Sequence, residues 1–111
     1  MTWNPLTELD QLEKIKQESF DYPVLLYKHS VNCSISSTVM ARLERQWDEG
    51  AGIHAYYLDL LRYRAVSNAV AEVFGVEHES PQVLLIRNGV CVYHESHFAI
   101  RFGELVDALA G

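Results

Sequence analysis

The sequence predicts an α/β domain: a central mixed sheet of four strands flanked by helices, with an extra helix at the amino terminus. Three observations carry that prediction. Apolar runs alternate with stretches of helical periodicity through the first two thirds of the chain, the pattern of parallel strands joined by right-handed helical crossovers. Asn88-Gly89 then separates two apolar runs, 83–87 and 90–94, which is the strongest short signal for an antiparallel hairpin. Finally, Cys33 stands where the first apolar run gives way to a helical stretch, at the mouth of a helix.

Taken in order, Leu9, Leu12 and Ile15 recur at helical spacing behind Thr7, the expected N-cap. Glu8 and Asp10 come early and Lys14 and Lys16 late, as the helix dipole prefers, so the first helix is placed near 7–18. Residues 22–27 follow as an apolar run opened by Pro23; this reads as a strand buried on both faces whose first residue need not donate to the ladder. Ile35, Val39, Met40, Leu43 and Trp47 form a helical core stripe over 33–48, closed by Gly50 and Gly52. Residues 53–60 are rich in aromatic and apolar side chains and read as a second buried strand, with His54 a satisfied histidine of the core. Val66, Ala69, Val70, Val73 and Phe74 make the next helical stripe, and Gly75 is placed to end it in the left-handed conformation. After the hairpin, Phe102, Leu105, Val106 and Leu109 finish the chain as an amphipathic helix.

With 111 residues, 49% of them hydrophobic, the chain is expected to form one domain over 1–111 rather than two. Its formal charge of −6 argues against nucleic acid or an anionic membrane surface as partner, because both reward clustered Lys and Arg. The amino terminus shows no basic region followed by an apolar stretch, and no segment approaches the roughly 18 apolar residues of a membrane span. Two cysteines, Cys33 and Cys91, do not make the disulfide framework of a small secreted domain, so a reducing, cytoplasmic setting is expected.

Cys33 is the candidate nucleophile. Unsatisfied N–H groups and the positive end of the macrodipole at a helix mouth favour a thiolate, and the N–H groups of Ile35 and Ser36 are expected to point at the sulfur. Where a dithiol site carries its second sulfur, this chain has Ser36. Its hydroxyl is expected to donate to the Cys33 sulfur, but it is no disulfide nucleophile. Cys91, in a short strand, reads as a small buried apolar residue rather than a distal resolving thiol. No Cys-x-x-Cys or His-x-x-x-His pair is present, so no metal site is predicted. Among the histidines, His94 is expected in solvent. His29, His78 and His97 are candidate modulators, since an imidazole near the sulfur favours the thiolate and can protonate a leaving thiol.

The order of elements, the helix-mouth Cys33 and Ser80-Pro81 just ahead of the hairpin together resemble the thioredoxin fold, which places a cis-proline facing its active cysteine. Four fragments narrow the resemblance: His29-Ser30-x-x-Cys33-x-Ile35-Ser36, Arg64-x-x-Ser67-Asn68, His78-Glu79-Ser80-Pro81-Gln82 and Ser96-His97-x-x-Ile100. Over the chain from Tyr22 onward, the sequence is similar to the monothiol bacilliredoxins. That resemblance implies a thiol–disulfide oxidoreductase that removes bacillithiol, a low-molecular-weight thiol, from protein mixed disulfides through Cys33. No bound cofactor is implied; bacillithiol serves as co-substrate, S-thiolated client proteins are the partners, and the protein is a monomer or weak dimer. Ser80 and Pro81 would align the substrate through backbone hydrogen bonds, with Asn32, Ser34 and Ile35 beside them. The family usually carries Thr-Cys-Pro-Ile-Ser, whereas this chain has Asn32-Cys33-Ser34-Ile35-Ser36. Ser34 therefore replaces a preorganised first helical residue with a more flexible one that has an N–H to satisfy.

Two other readings fit a Cys-x-x-Ser thioredoxin-like chain. One is a carrier of a [2Fe–2S] cluster, by similarity to the monothiol glutaredoxins, whose motif is Cys-Gly-Phe-Ser. The other is a non-catalytic thioredoxin-like adaptor or stress protein in which the cysteine is incidental.

Overall fold

The computed structural model describes residues 1–110. Along the chain run β1 (Trp3–Pro5), α1 (Gln11–Glu18), β2 (Val24–His29), α2 (Ser34–Gln46), β3 (His54–Asp59), α3 (Arg64–Phe74), β4 (Gln82–Arg87), β5 (Val90–Ser96) and α4 (Phe102–Ala110). Short 3₁₀ turns at Glu49–Ala51 and His97–Ala99 follow α2 and β5. The sheet order is β1-β3-β2-β4-β5. β3 runs parallel to both β1 and β2, while β4 is antiparallel to β2 and β5 to β4. The mixed sheet is as expected, but it has five strands rather than four. The added strand is the three-residue edge β1, whose Pro5 is tolerated because an edge leaves one side of the ladder unused.

The two faces of the sheet carry separate cores. Leu12 and Ile15 of α1 and Val66 and Val70 of α3 pack with Val24, Leu26, Leu58, Leu84 and Ile86. On the other face Val39 and Leu43 of α2 and Phe102 and Leu105 of α4 pack with Leu25, Tyr27, Val83 and Leu85. Alternate residues of β2 and β4 feed opposite faces. That is why both central strands are apolar throughout, and why residues 24–28 and 82–86 are all buried.

Several boundaries differ from the expectation for physical reasons. α1 begins at Gln11 rather than Thr7, because the Gln11 side-chain oxygen accepts the N–H groups of Thr7 (2.8 Å) and Glu8 (2.9 Å) and closes the entry turn itself. Leu9 is consequently outside the helix and 55% exposed. α2 stops at Gln46, and Trp47 turns to extended backbone so that its ring packs on Phe102, 4.9 Å between centroids. His54 opens β3 with its side chain in solvent, stacked on the Tyr22 ring at 3.7 Å, rather than within the core. Gly75 does end α3 in the left-handed region, with φ 68° and its N–H on the Ala71 carbonyl.

The hairpin is tied down at its tip. Asn88 and Gly89 both have positive φ, 55° and 81°, the type I′ geometry that matches strand twist. Asn88 N–H donates to the Ser19 carbonyl (2.9 Å) and Gly89 N–H to the Ser19 hydroxyl (2.8 Å). A Cβ at Gly89 would meet the Phe20 ring at 3.2 Å. Gly89→Ala is therefore expected to lose about 1–2 kcal/mol in urea unfolding, from backbone strain and this contact together. Gly103→Ala, in α4 with nothing within 4 Å of the added carbon, is expected to be neutral or to gain up to about 0.5–1 kcal/mol.

Candidate active site

β2 delivers the site. It ends at His29, and four residues later Cys33 caps α2 in an extended conformation, φ −112° and ψ 117°. The turn is closed by Cys33 N–H on the Ser30 carbonyl (3.1 Å), and the helix starts with Ser37 N–H on the Cys33 carbonyl (3.2 Å). Cys33 is a free thiol, partly exposed. Asn32 and Ser34 flank it in solvent, and Ile35 is half-buried against the α2 face core.

Ser36 is fully buried, and both its hydroxyl and its carbonyl are hydrogen-bonded. Its Oγ lies 2.7 Å from His29 Nδ1 and accepts the Ser30 N–H at 3.2 Å. Its carbonyl accepts the Tyr27 hydroxyl at 2.7 Å. Ser30 N–H takes one lone pair of Oγ, and the Oγ–Nδ1 bond is donated by whichever of the two atoms carries the proton in a given imidazole tautomer. Burial holds His29 below the ordinary imidazole range, with the Asp59 carboxylate across the β2–β3 ladder opposing the shift in part. Burial likewise pushes the Tyr27 phenol up to about 12; the bond to Ser36 works against this, and the Cys33 charge adds to it. Tyr27 thus stays a donor at any physiological pH. Two expectations are corrected here. The Ser36 hydroxyl is committed to His29 and Ser30 rather than to the sulfur, and Cys33 makes no side-chain capping bond to the helix N–H groups. The extended Cys33 backbone at the N-cap leaves its sulfur outside the helix.

Ser80 and Pro81 come to the same end of the sheet. β4 starts beside the end of β2, with Gln82 opposite Lys28, so the two preceding residues lie next to the turn that leads to Cys33. The Ser80–Pro81 peptide is cis. His97 N–H donates to the Pro81 carbonyl at 2.9 Å. Ser80 Oγ is buried without a partner.

The three candidate modulators divide. His29 joins the Ser36 network directly. His78 sits on Lys28, with Nζ 3.1 Å from Nδ1, and burial followed by the Lys28 charge pushes its pKa down. His97 Nε2 faces the Glu79 carboxylate at 3.7 Å, both in solvent. His78 and His97 therefore brace the segment ahead of Pro81, while only His29 is tied to the Cys33 turn. His94 is in solvent, as expected. Cys91 is held by Tyr93 O at 3.3 Å, and burial raises its pKa. The pairings Cys91–Ile86 and Ile86–Val24 put it level with the start of β2, the opposite end of the sheet from Cys33 and well beyond disulfide reach. Among the described residues, no group of three or more His, Cys, Asp or Glu side chains has the placement to hold a metal ion. Likewise, no helix among them is long and apolar enough to cross a membrane.

Three contributors had escaped sequence reasoning. Tyr27 and Lys28 were legible only as strand residues. A polar head on each of two successive positions of a doubly buried strand was the available signal. Arg42 of α2 holds the loop after β5 through Nη2, which donates to the carbonyls of Phe98 (2.7 Å) and Ile100; nothing local in the sequence marks that contact.

A solitary thiol at the mouth of α2, beside a cis-proline loop on a five-stranded mixed sheet, defines a thioredoxin-fold thiol–disulfide oxidoreductase. A solved structure with a thioredoxin fold matches with TM-score 0.83 and 29% identity over 96% of this chain and 92% of that one. Thioredoxin from Trypanosoma brucei brucei matches at 0.76 and 16% identity, over 98% and 88% of the two chains. Fasciola hepatica thioredoxin matches at 0.74 and 15%, over 96% and 97%; these two show the shared fold. Residues 4–105 match the model of the family Monothiol bacilliredoxin BrxC, and the chain belongs to that family.

Ser36→Ala would strand the buried Ser30 N–H and the His29 ring together, so a loss of about 1–3 kcal/mol is expected in urea unfolding. The acid limb of stability follows from the histidines. His29 and His78 both titrate lower in the folded chain than in the unfolded one. Stability is then complete above the ordinary imidazole value and is lost as pH falls through the folded-state values. Unfolding midpoints measured from pH 7 to pH 5 should fall, and His29→Gln combined with His78→Gln should flatten that slope.

Proposed function

We propose that the protein removes bacillithiol from S-thiolated client proteins by a monothiol cycle at Cys33. The Cys33 thiolate attacks the bacillithiol sulfur of the mixed disulfide; the bond between that sulfur and the client breaks, and the client thiolate leaves and takes up a proton. Cys33 is left joined to bacillithiol. A second bacillithiol, or a separate reductase, attacks the bacillithiol sulfur of that adduct and returns Cys33 as thiolate, with bacillithiol leaving as its own disulfide in the first case. Bacillithiol is thus a co-substrate, and no bound cofactor is needed.

The observation that carries this reading is Ser36. It fills the seat of a second sulfur, its hydroxyl is engaged by His29 and Ser30, and the other cysteine lies at the far end of the sheet. Regeneration must therefore come from outside the chain. Membership of the bacilliredoxin family supports the choice of small thiol. Ser80 offers its backbone to the extended client chain ahead of Pro81, and Asn32, Ser34 and Ile35 border the scissile disulfide. The cycle fits a reducing, cytoplasmic setting.

The test is a bacillithiol–peptide mixed disulfide followed by mass spectrometry. Free peptide should appear together with one bacillithiol adduct on Cys33, and neither should appear with Cys33→Ser. A peptide that keeps its bacillithiol in the presence of the wild-type protein would end the proposal.

A further inference from the structure

Lys28 has no place in a conventional core, yet none of it reaches solvent. It follows Val24 and Leu26 on the β2 face that packs against α1 and α3, and its exposure is 0%. Among the described residues no carboxylate lies within ion-pair distance of it; the two ion pairs involve the amino terminus with Glu49 and His97 with Glu79. Its side-chain hydrogen bond goes to His78 Nδ1. An amine held out of water without a carboxylate partner bears a desolvation cost, and the same burial lowers its pKa to about 8.

What the amine holds is the stretch that carries the cis-proline. Glu77, His78 and Glu79 are all exposed, so between Val76 and Pro81 no apolar side chain anchors the chain. Two buried polar side chains take over, and they rise from opposed positions of neighbouring strands. Lys28 reaches His78, and Gln82, its partner across the ladder and itself 1% exposed, donates from Nε2 to the Glu77 carbonyl at 2.9 Å. Gln82 Oε1 is buried and unpartnered.

We propose that Lys28 is a positioning residue for disulfide exchange: through His78 it fixes the 77–80 segment so that the Ser80 backbone meets an extended client at the right height over Cys33. This rests on the proposed attack on protein mixed disulfides and adds a determinant for client chains as opposed to small disulfides. A small aromatic disulfide has no backbone to align and does not need the segment. A client peptide does, and misplacement of its reacting atoms by a fraction of an ångström to an ångström lowers the rate by about tenfold or more.

Lys28→Met and His78→Ala, the latter at an exposed residue and so safe for folding, test this in two independent ways. Peptide-level hydrogen exchange of 77–80 should speed up by about tenfold or more in both variants, because the segment loses its tether. Attack on a peptide mixed disulfide should fall by about tenfold while reaction of Cys33 with a small aromatic disulfide stays within about twofold. The urea midpoint of Lys28→Met should rise or hold, which separates lost positioning from lost folding. Unchanged exchange in both variants overturns the proposal, as does an equal fall of both rates. If even the wild type ignores peptide disulfides, the oxidoreductase reading on protein clients fails, while the exchange arm still decides whether Lys28 holds the segment.

Discussion

The buried Ser36 hydroxyl is the contact on which the site depends. It joins the end of β2, through His29 and the Ser30 N–H, to the first turn of α2, and Tyr27 adds a second bond from the strand to the same residue's carbonyl. Residues 30–33 are thereby fixed at both ends. An alkyl side chain at this position would leave a buried N–H unpaired, and a thiol would pair it weakly. The same choice that makes the turn rigid removes the second sulfur. Structural anchoring and monothiol chemistry have one cause.

Around that turn the polar groups are concentrated at one end of an otherwise apolar sheet. Val24, Leu25 and Leu26 give way to Tyr27, Lys28 and His29, and on the antiparallel neighbour Ser80 and Gln82 flank the cis-proline. Each group is buried or half-buried: Tyr27 and His29 bond to Ser36, Lys28 to His78 and Gln82 Nε2 to the Glu77 carbonyl, while Ser80 Oγ and Gln82 Oε1 have no partner. Lys28 is the one amine in this row, buried with no carboxylate partner, and so carries the desolvation cost of a charge. Active ends of folds commonly carry such locally unfavourable residues, and the remainder of both cores offsets them.

Much of the fold was legible because its signals are local. Asn88-Gly89 needs only its own positive φ values, Gly75 only a helix end, and the alternation of apolar runs fixes parallel before antiparallel pairing. The misreadings arise where a distant partner decides. Three residues of β1 carry no periodicity and become a strand only because β3 offers an open edge. Thr7 has the chemistry of an N-cap, but Gln11 outcompetes it with a side chain that spans two N–H groups. His54 looked buried because its strand is apolar, and its place at the strand end turns it to solvent.

The site was legible in part for the same reason. Cys33, Ser36, Ser80 and Pro81 were identifiable from spacing and resemblance, and the topology brings their segments to one end of the sheet. The partner of the Ser36 hydroxyl was not. A helix-mouth model sees only the four residues around the sulfur, whereas His29 and Ser30 reach Ser36 through the strand. Lys28 escaped notice because charge in a sequence reads as exposure unless both neighbouring strands are known.

The central claim is that no sulfur of this chain can release a small thiol captured by Cys33. The most direct measurement is the lifetime of the Cys33–bacillithiol adduct, followed by intact mass with no free thiol added, for the wild type and for Ser36→Cys. The account predicts a wild-type adduct that persists until thiol is supplied, and a variant adduct that decays to an internal disulfide between residues 33 and 36. Spontaneous loss of the wild-type adduct with formation of a Cys33–Cys91 disulfide would contradict it.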